Sequence, residues 1–337
     1  NEDIRFRRPE ALSAYREELA EEINYWKFLQ FKFFEQWEKL KQYAKEKDLQ
    51  IVGDIPIYVA LDSADVWSHP ELFQLDEENL TPLKVSGVPP DAFSEDGQLW
   101  GNPLYDWEKM EQTDFAWWRS RMKASAKLYD AVRIDHFIGV VQYYAIPYGA
   151  VTAKDGEWEK GPGKKLTDAL DEAAGETKII AEDLGVFCQE VKDLLAETGY
   201  PGMKIIEFAF SGDRFNEHLP HCYAPNSVVY GGTHDNETLA GYFKPEKRQW
   251  WELQYIADYL GAAHQSEVVD RVFRAAYGSV ASVAIFQMQD VLKLDNWARM
   301  NTPGTLGENW RWRLVPGQFT DERADYLSWL VDTFGRF

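Results

Sequence analysis

The spacing of apolar positions changes along the chain, and each change marks an element. Over residues 13–48, apolar side chains recur at Ile23, Trp26, Leu29, Phe33, Trp37, Leu40 and Ala44, the three-and-four spacing of one helix face. Ser13 is placed to cap the start of that helix. Residues 51–59 are short, apolar and β-branched, which predicts a buried strand. Periodicity then weakens over 61–107, where Pro, Gly, Asp and Ser accumulate. A connection of that length inside a folded domain points to a functional lid or binding loop rather than a linker. A helical pattern over 114–129 follows, then strand-like runs at 131–134, 178–181, 203–210 and 227–230, with 280–286 as a last candidate. Helical patterns at 166–174, 188–197 and 249–277 fall between them. Helices alternating with short buried strands predict a parallel α/β sheet, either a barrel or an open doubly wound fold. No Gly-x-Gly-x-x-Gly follows any of the strands, which argues against the dinucleotide-binding version.

Length and charge narrow the classes. The 337 residues, 45% of them hydrophobic, suffice for one barrel-sized domain or two ordinary ones. A net charge of -20, from 56 acidic against 36 basic residues, would repel a phosphate backbone, so nucleic acid is set aside as a partner. The acidic surplus reads as a solubilising surface. Cys188 and Cys222 are too few for a disulfide framework and lack CxxC spacing, which fits a reducing compartment. The first residues contain no apolar secretory core, and the most apolar stretch, 137–151, is interrupted by Gln142 and Pro147. A soluble cytoplasmic protein with no membrane partner is expected. Fourteen tryptophans permit stacking on sugar faces, although most are expected in the core.

Three of the strand candidates end directly in acidic clusters: Ile134-Asp135-His136, Ala181-Glu182-Asp183 and Gly232-Thr233-His234-Asp235-Asn236. In a parallel barrel the C-terminal ends of all strands share one rim, where active sites are built. Asp135, Glu182 and Asp235 are therefore able to meet although they lie far apart in sequence. Crowded carboxylates repel one another, so one pKa rises while another group stays ionised. Glycosidic chemistry needs that pair, an acid for the leaving oxygen and a carboxylate for the sugar carbon; a retaining mechanism sets them about 5–5.5 Å apart. Each acid alone could instead cap a helix or pair with Arg133. His136, His234 and the carboxylates could also ligate zinc or a harder cation. The chain has neither an HExxH helix nor an EF-hand loop, so no metal and no other cofactor is expected, and the lack of a Gly-x-Ser-x-Gly elbow disfavours a serine hydrolase.

Several strings occur in order: Gly53-Asp-Ile-Pro-Ile-Tyr-Val-Ala60, Asp62-Ser-Ala-Asp-Val-Trp67, Gly87-Val-Pro-Pro-Asp91, Gln98-Leu-Trp-Gly-Asn-Pro103, Val132-Arg-Ile-Asp-His136, Ala181-Glu-Asp-Leu-Gly185, Gly232-Thr-His-Asp-Asn236 and Glu308-Asn-Trp-Arg-Trp312. Together they resemble the amylomaltase family, the 4-α-glucanotransferases or disproportionating enzymes. That resemblance implies a TIM (β/α)8-type barrel with loop-rich insertions, related to the α-amylases. Residues 1–337 would be its catalytic domain, with 61–115 an insertion beside the cleft. The family's sequence ordinarily begins earlier, so residues 51–59 would be the third strand and the chain would lack its first strands; by itself it is expected to be inactive or unstable. The implied reaction transfers α-1,4-glucan segments to glucose or another maltooligosaccharide, so the partners are maltooligosaccharides, glucose and α-1,4-glucan. Asp135 resembles the nucleophile, Glu182 the acid and later base, and Asp235 the third carboxylate that grips sugar hydroxyls. Arg133 would hold Asp135 ionised, and His234 would bind sugar hydroxyls. Asp54 and His136 would line the same rim, Asp91, Gln98 and Trp100 would belong to a loop over the donor and acceptor sites, and Asn309 would contact substrate. For Trp100 and His136, packing or structural hydrogen bonding stands beside substrate contact. An α-amylase-like retaining hydrolase and a non-catalytic glucan-binding relative are the alternatives, and the oligomeric state is left open.

Overall fold

A computed structural model describes residues 1–90 and 94–336; in it the short β-branched runs become strands. The chain divides into two units, Asn1–Thr198 and Gly199–Phe337. The first carries β1 (Val52–Ile55), β2 (Lys84–Val88), β3 (Gln98–Pro103), β4 (Ala131–Ile134), β5 (Gln142–Pro147), β6 (Glu157–Lys160) and β7 (Lys178–Ala181). The second carries β8 (Gly202–Ile205), β9 (Ser227–Tyr230) and β10 (Val283–Ile285).

In the first unit β1, β4 and β7 make a parallel sheet in that order, with Asp54 opposite Arg133 and Ile134 opposite Ala181. All four residues of β4 are buried, as expected of a strand covered on both faces. β1 ends at Ile55 because Pro56 has no N–H to continue the ladder. Helix Lys164–Ala174 buries Leu166, Ala169, Leu170 and Ala173 at helical spacing. The stretch 61–107 is more regular than its composition predicts, since β2 and β3 lie within it. They join β5 and β6 in an antiparallel sheet of order β3-β2-β5-β6. Only pairing with the distant β5 reveals these strands, and Gly87 admits the close approach: a Cβ there would lie 2.2 Å from the Gln98 carbonyl oxygen.

The second unit's parallel sheet has the order β10-β9-β8. The run at 203–210 leaves the sheet after Ile205 and tightens into a 3-10 turn, Ile206–Phe208. Helix Val268–Tyr277 buries Val268, Val269, Val272, Phe273 and Ala276, and Phe273 stacks on Phe286 at 3.9 Å. Each large apolar side chain so buried contributes about 1.5–3 kcal/mol.

Three helical boundaries differ from expectation. The helix expected over 13–48 starts at Pro9, with proline at its first position, so Ser13 lies inside Pro9–Glu18 rather than at a cap; a break at Leu19 separates it from Ala20–Glu46. Asp114 and Phe115 both have positive φ, which divides the region into Trp107–Gln112 and Ala116–Leu128. The span 249–277 is two helices, Trp250–Leu260 and Val268–Tyr277, because Gly261 closes the first in the left-handed conformation. Among the described residues no helix is long and apolar enough to cross a membrane.

Candidate active site

β4 places a guanidinium inside the first unit. Arg133 is 8% exposed, and a buried cation is tolerated only when partnered. Its Nη1 donates to Asp54 Oδ2 on the adjacent strand, and its Nη2 donates to Asp135 Oδ1 at 2.6 Å. Asp135 stands one residue past β4, and its backbone N–H donates to the Ile55 carbonyl at 3.0 Å. The partnered guanidinium thus fixes the carboxylate at the end of its own strand.

Glu182 follows β7 as Asp135 follows β4, and the two strands are neighbours. Its carboxylate accepts the His136 N–H at 2.7 Å on one oxygen and the Leu184 N–H at 2.8 Å on the other. His136 reaches that position with a left-handed backbone, φ +51°. Such a conformation is uncommon for a non-glycine residue and clusters at functional turns. Burial and then the Asp135 charge push the Glu182 pKa up to about 7, against the opposing pull of Arg133 and the two N–H donors. Burial also lowers the His136 pKa to about 4, so its imidazole is neutral, and its Nε2 has no hydrogen-bond partner. That ring meets Trp100 edge-to-face at 4.8 Å between centroids. Tyr58, buried at 8%, lies beside both Trp100 and His136. Gln98 accepts from the Trp100 indole N–H at 3.1 Å, so β3 presents these two side chains as a unit. Asp91 lies outside the described residues.

In the second unit, His234 and Asp235 follow β9. Asn301 Nδ2 donates to Asp235 Oδ1, and Arg299 Nη2 donates to the Asp235 carbonyl at 2.6 Å. His234 Nε2 lies 3.6 Å from Asp235 Oδ2, and the ring packs on Trp310 at 5.0 Å. Asn309 is occupied within its own loop: Oδ1 accepts the Thr302 N–H at 3.0 Å, while Nδ2 donates to Thr305 at 3.1 Å. Its observed role is to shape the loop that carries Trp310.

Of the residues singled out from sequence, the first unit therefore gathers Asp54, Arg133, Asp135, His136, Glu182, Gln98 and Trp100, and the second gathers His234 and Asp235 around Asn301 and Arg299. Sequence reasoning gave no role to Tyr58, Arg299 or Asn301. It also passed over Glu207 and Asp290, both buried. Glu207 had a readable signal, a charge inside the apolar run 203–210. Among the described residues no group of three or more His, Cys, Asp or Glu could hold a metal ion.

Chemically, the first unit presents two strand-end carboxyls in different environments, one bonded to a guanidinium, the other buried and close to half-protonated near neutrality. That division of labour suits acid-and-nucleophile chemistry. Residues 1–318 match the model of a family described as 4-alpha-glucanotransferase. The chain is 50% identical over 336 residues to the 4-alpha-glucanotransferase of Clostridium butyricum, covering 100% of this chain and 69% of that protein. It is similar to the amylomaltase from Streptococcus agalactiae in complex with acarbose, with a TM-score of 0.95 and 42% identity, covering 100% of this chain and 68% of that one. The α-amylase from Geobacillus thermoleovorans complexed with acarbose, at a TM-score of 0.54 and 10% identity, shares the fold alone, which is TIM-barrel-like. The chain spans about two thirds of the length of the relatives it matches.

Proposed function

The chain belongs to the 4-alpha-glucanotransferase family, and from that premise we propose that it transfers α-1,4-glucan segments between maltooligosaccharides by a retaining, two-carboxylate double displacement. The observation that carries this is the pairing of Asp135 and Glu182 at the ends of neighbouring strands, with Arg133 bonded to the first and burial raising the pKa of the second.

Asp135 is the nucleophile. Arg133 and the Ile55 carbonyl hold it still, so little reorganisation is needed when it attacks the anomeric carbon. Glu182, with a pKa near 7, gives its proton to the departing glycosidic oxygen. In the second half-reaction the Glu182 carboxylate takes a proton from the acceptor hydroxyl, which then displaces Asp135. Both backbone donors to Glu182, the N–H groups of His136 and Leu184, favour the charged form that remains between the steps. Asp235, held by Asn301, is the third carboxylate and grips sugar hydroxyls as positive charge develops on the ring. His234 joins it in that contact, while Gln98 and Trp100 meet the bound sugar from β3. Trp100, Tyr58 and His136 form an aromatic wall on which the face of an acceptor sugar can pack, which favours a sugar hydroxyl over water as acceptor. Family membership further implies a (β/α)8-type barrel around these residues, with residues 61–115 as an insertion beside its cleft.

Incubation of the complete natural protein with maltotriose tests this reading. Glucose plus a ladder of longer maltooligosaccharides is expected, and shorter products alone would instead indicate hydrolysis. Asp135→Asn should lower turnover by at least about 10³-fold while leaving maltooligosaccharide binding nearly unchanged. Activity surviving in that variant would sink the nucleophile assignment.

A further inference from the structure

Glu207 is 2% exposed, and its Oε1 has no hydrogen-bond partner. A carboxyl so placed is costly unless it serves a purpose. β8 and β9 are parallel with Ile205 opposite Tyr230, so two residues beyond the strand ends Glu207 stands opposite Gly232. The Glu207 N–H extends the ladder by donating to the Gly231 carbonyl at 3.2 Å, and the Glu207 carbonyl accepts the Tyr242 hydroxyl. The side chain then folds against the neighbouring strand end: a Cβ added at Gly232 would lie 2.8 Å from Glu207 Oε1. Any residue other than glycine there would collide with the carboxyl or displace it. Three residues after Gly232 comes Asp235.

We propose that Glu207 is a positioning residue for the transfer reaction: its carboxyl, seated against Gly232, sets the turn that delivers His234 and Asp235. This rests on the role given to Asp235 above. The groups facing Glu207 are Asp290, Glu237, Arg299 and Arg248, together with the Tyr242 ring. Asp290 is itself buried, with Oδ1 accepting the Leu239 N–H at 2.7 Å and Oδ2 unpartnered. Glu237 is taken up by Lys247 and Asn296. Arg299 is the same guanidinium that bonds the Asp235 carbonyl. Burial first, then the Asp290 and Glu237 charges, hold the Glu207 pKa well above its usual range, which favours the uncharged acid. An uncharged wedge keeps Arg299 free to bond Asp235, whereas a carboxylate would draw Arg299 toward itself.

The test compares Glu207→Gln, Glu207→Ala, Asp235→Asn and the double variant Glu207→Ala with Asp235→Asn. Glu207→Gln, neutral and of equal size, should keep the maltotriose kcat within about threefold of wild type. Glu207→Ala should lower kcat tenfold or more with KM moved far less, while still melting well above the assay temperature. If Glu207→Ala fails to fold, Glu207→Asp, which retracts the carboxyl by one methylene, carries the same expectation. Turnover of α-maltosyl fluoride, whose leaving group needs little acid assistance, gives the second readout. In the Asp235→Asn background, adding Glu207→Ala should change that turnover by less than twofold, because the effect runs through Asp235. Wild-type kcat in Glu207→Ala, a Glu207→Gln variant as impaired as Glu207→Ala, or a tenfold loss that persists without Asp235 would each overturn the proposal. If the wild type makes no maltotriose ladder, the transfer reading falls, and the fluoride comparison still decides Glu207.

Discussion

At the scale of single residues, burial does most of the chemistry. Asp135 and Glu182 hold equivalent positions after adjacent strands, yet one meets a guanidinium and the other two N–H groups in a dry setting. A raised pKa has a definite sign in its consequences. In the proposed reaction the acid form of Glu182 acts first, so kcat/KM should fall as pH rises through about 7. The same shift is a stability statement: folding favours the protonated form, so the contribution is full below the usual carboxyl range and is lost as pH rises through about 7. Glu182→Gln should therefore be inactive, and its melting temperature relative to wild type should be higher at pH 8 than at pH 5. Paired thermal melts at the two pH values check this, and an equal offset at both would contradict the assigned shift. Charges at strand ends are legible in a sequence because they interrupt apolar runs. Which of two such acids keeps its proton is not, because desolvation depends on chain segments far away.

At the scale of elements, the antiparallel sheet was the least legible part. β2 and β3 are polar, glycine-bearing and short, and they become strands because β5, an apolar run dozens of residues later, offers β2 a ladder. β3 in turn carries Gln98 and Trp100 to His136. Gly87→Ala would drive a methyl group into the Gln98 carbonyl and separate β2 from β3. It should lower transfer activity severalfold or more through misplaced Trp100, with a stability loss of about 1–3 kcal/mol. Kinetics alongside denaturant unfolding check this, and unchanged activity would show that transfer does not depend on where β3 holds Trp100. Three of the parallel strands, β4, β7 and β9, coincide with the short β-branched runs of the sequence, whereas β1, β8 and β10 are shorter than the runs 51–59, 203–210 and 280–286. Helix limits drifted because the breaks at Leu19, Asp114 and Gly261 depend on local backbone geometry, which hydrophobic spacing does not encode.

At the scale of the whole molecule, a net charge of -20 implies self-repulsion, largest in the compact state and screened by salt. The melting temperature should rise by a few degrees between about 10 mM and 150 mM NaCl at neutral pH, as calorimetry would show. A flat or falling trend would mean that ion pairs such as Arg133 with Asp54 and Asp135 outweigh the repulsion. What the sequence determined by itself was the alternation of elements, the identity of the strand-end acids and the ordered motifs of one family, because these are properties of local spacing and residue type. Tertiary structure alone decided that Arg133 bonds Asp54 as well as Asp135, that His136 turns left-handed to meet Glu182, and that Glu207 lies against Gly232. Each of those joins residues on different strands or turns, and a carboxyl acquires its function from the solvent and charges that such neighbours remove or supply.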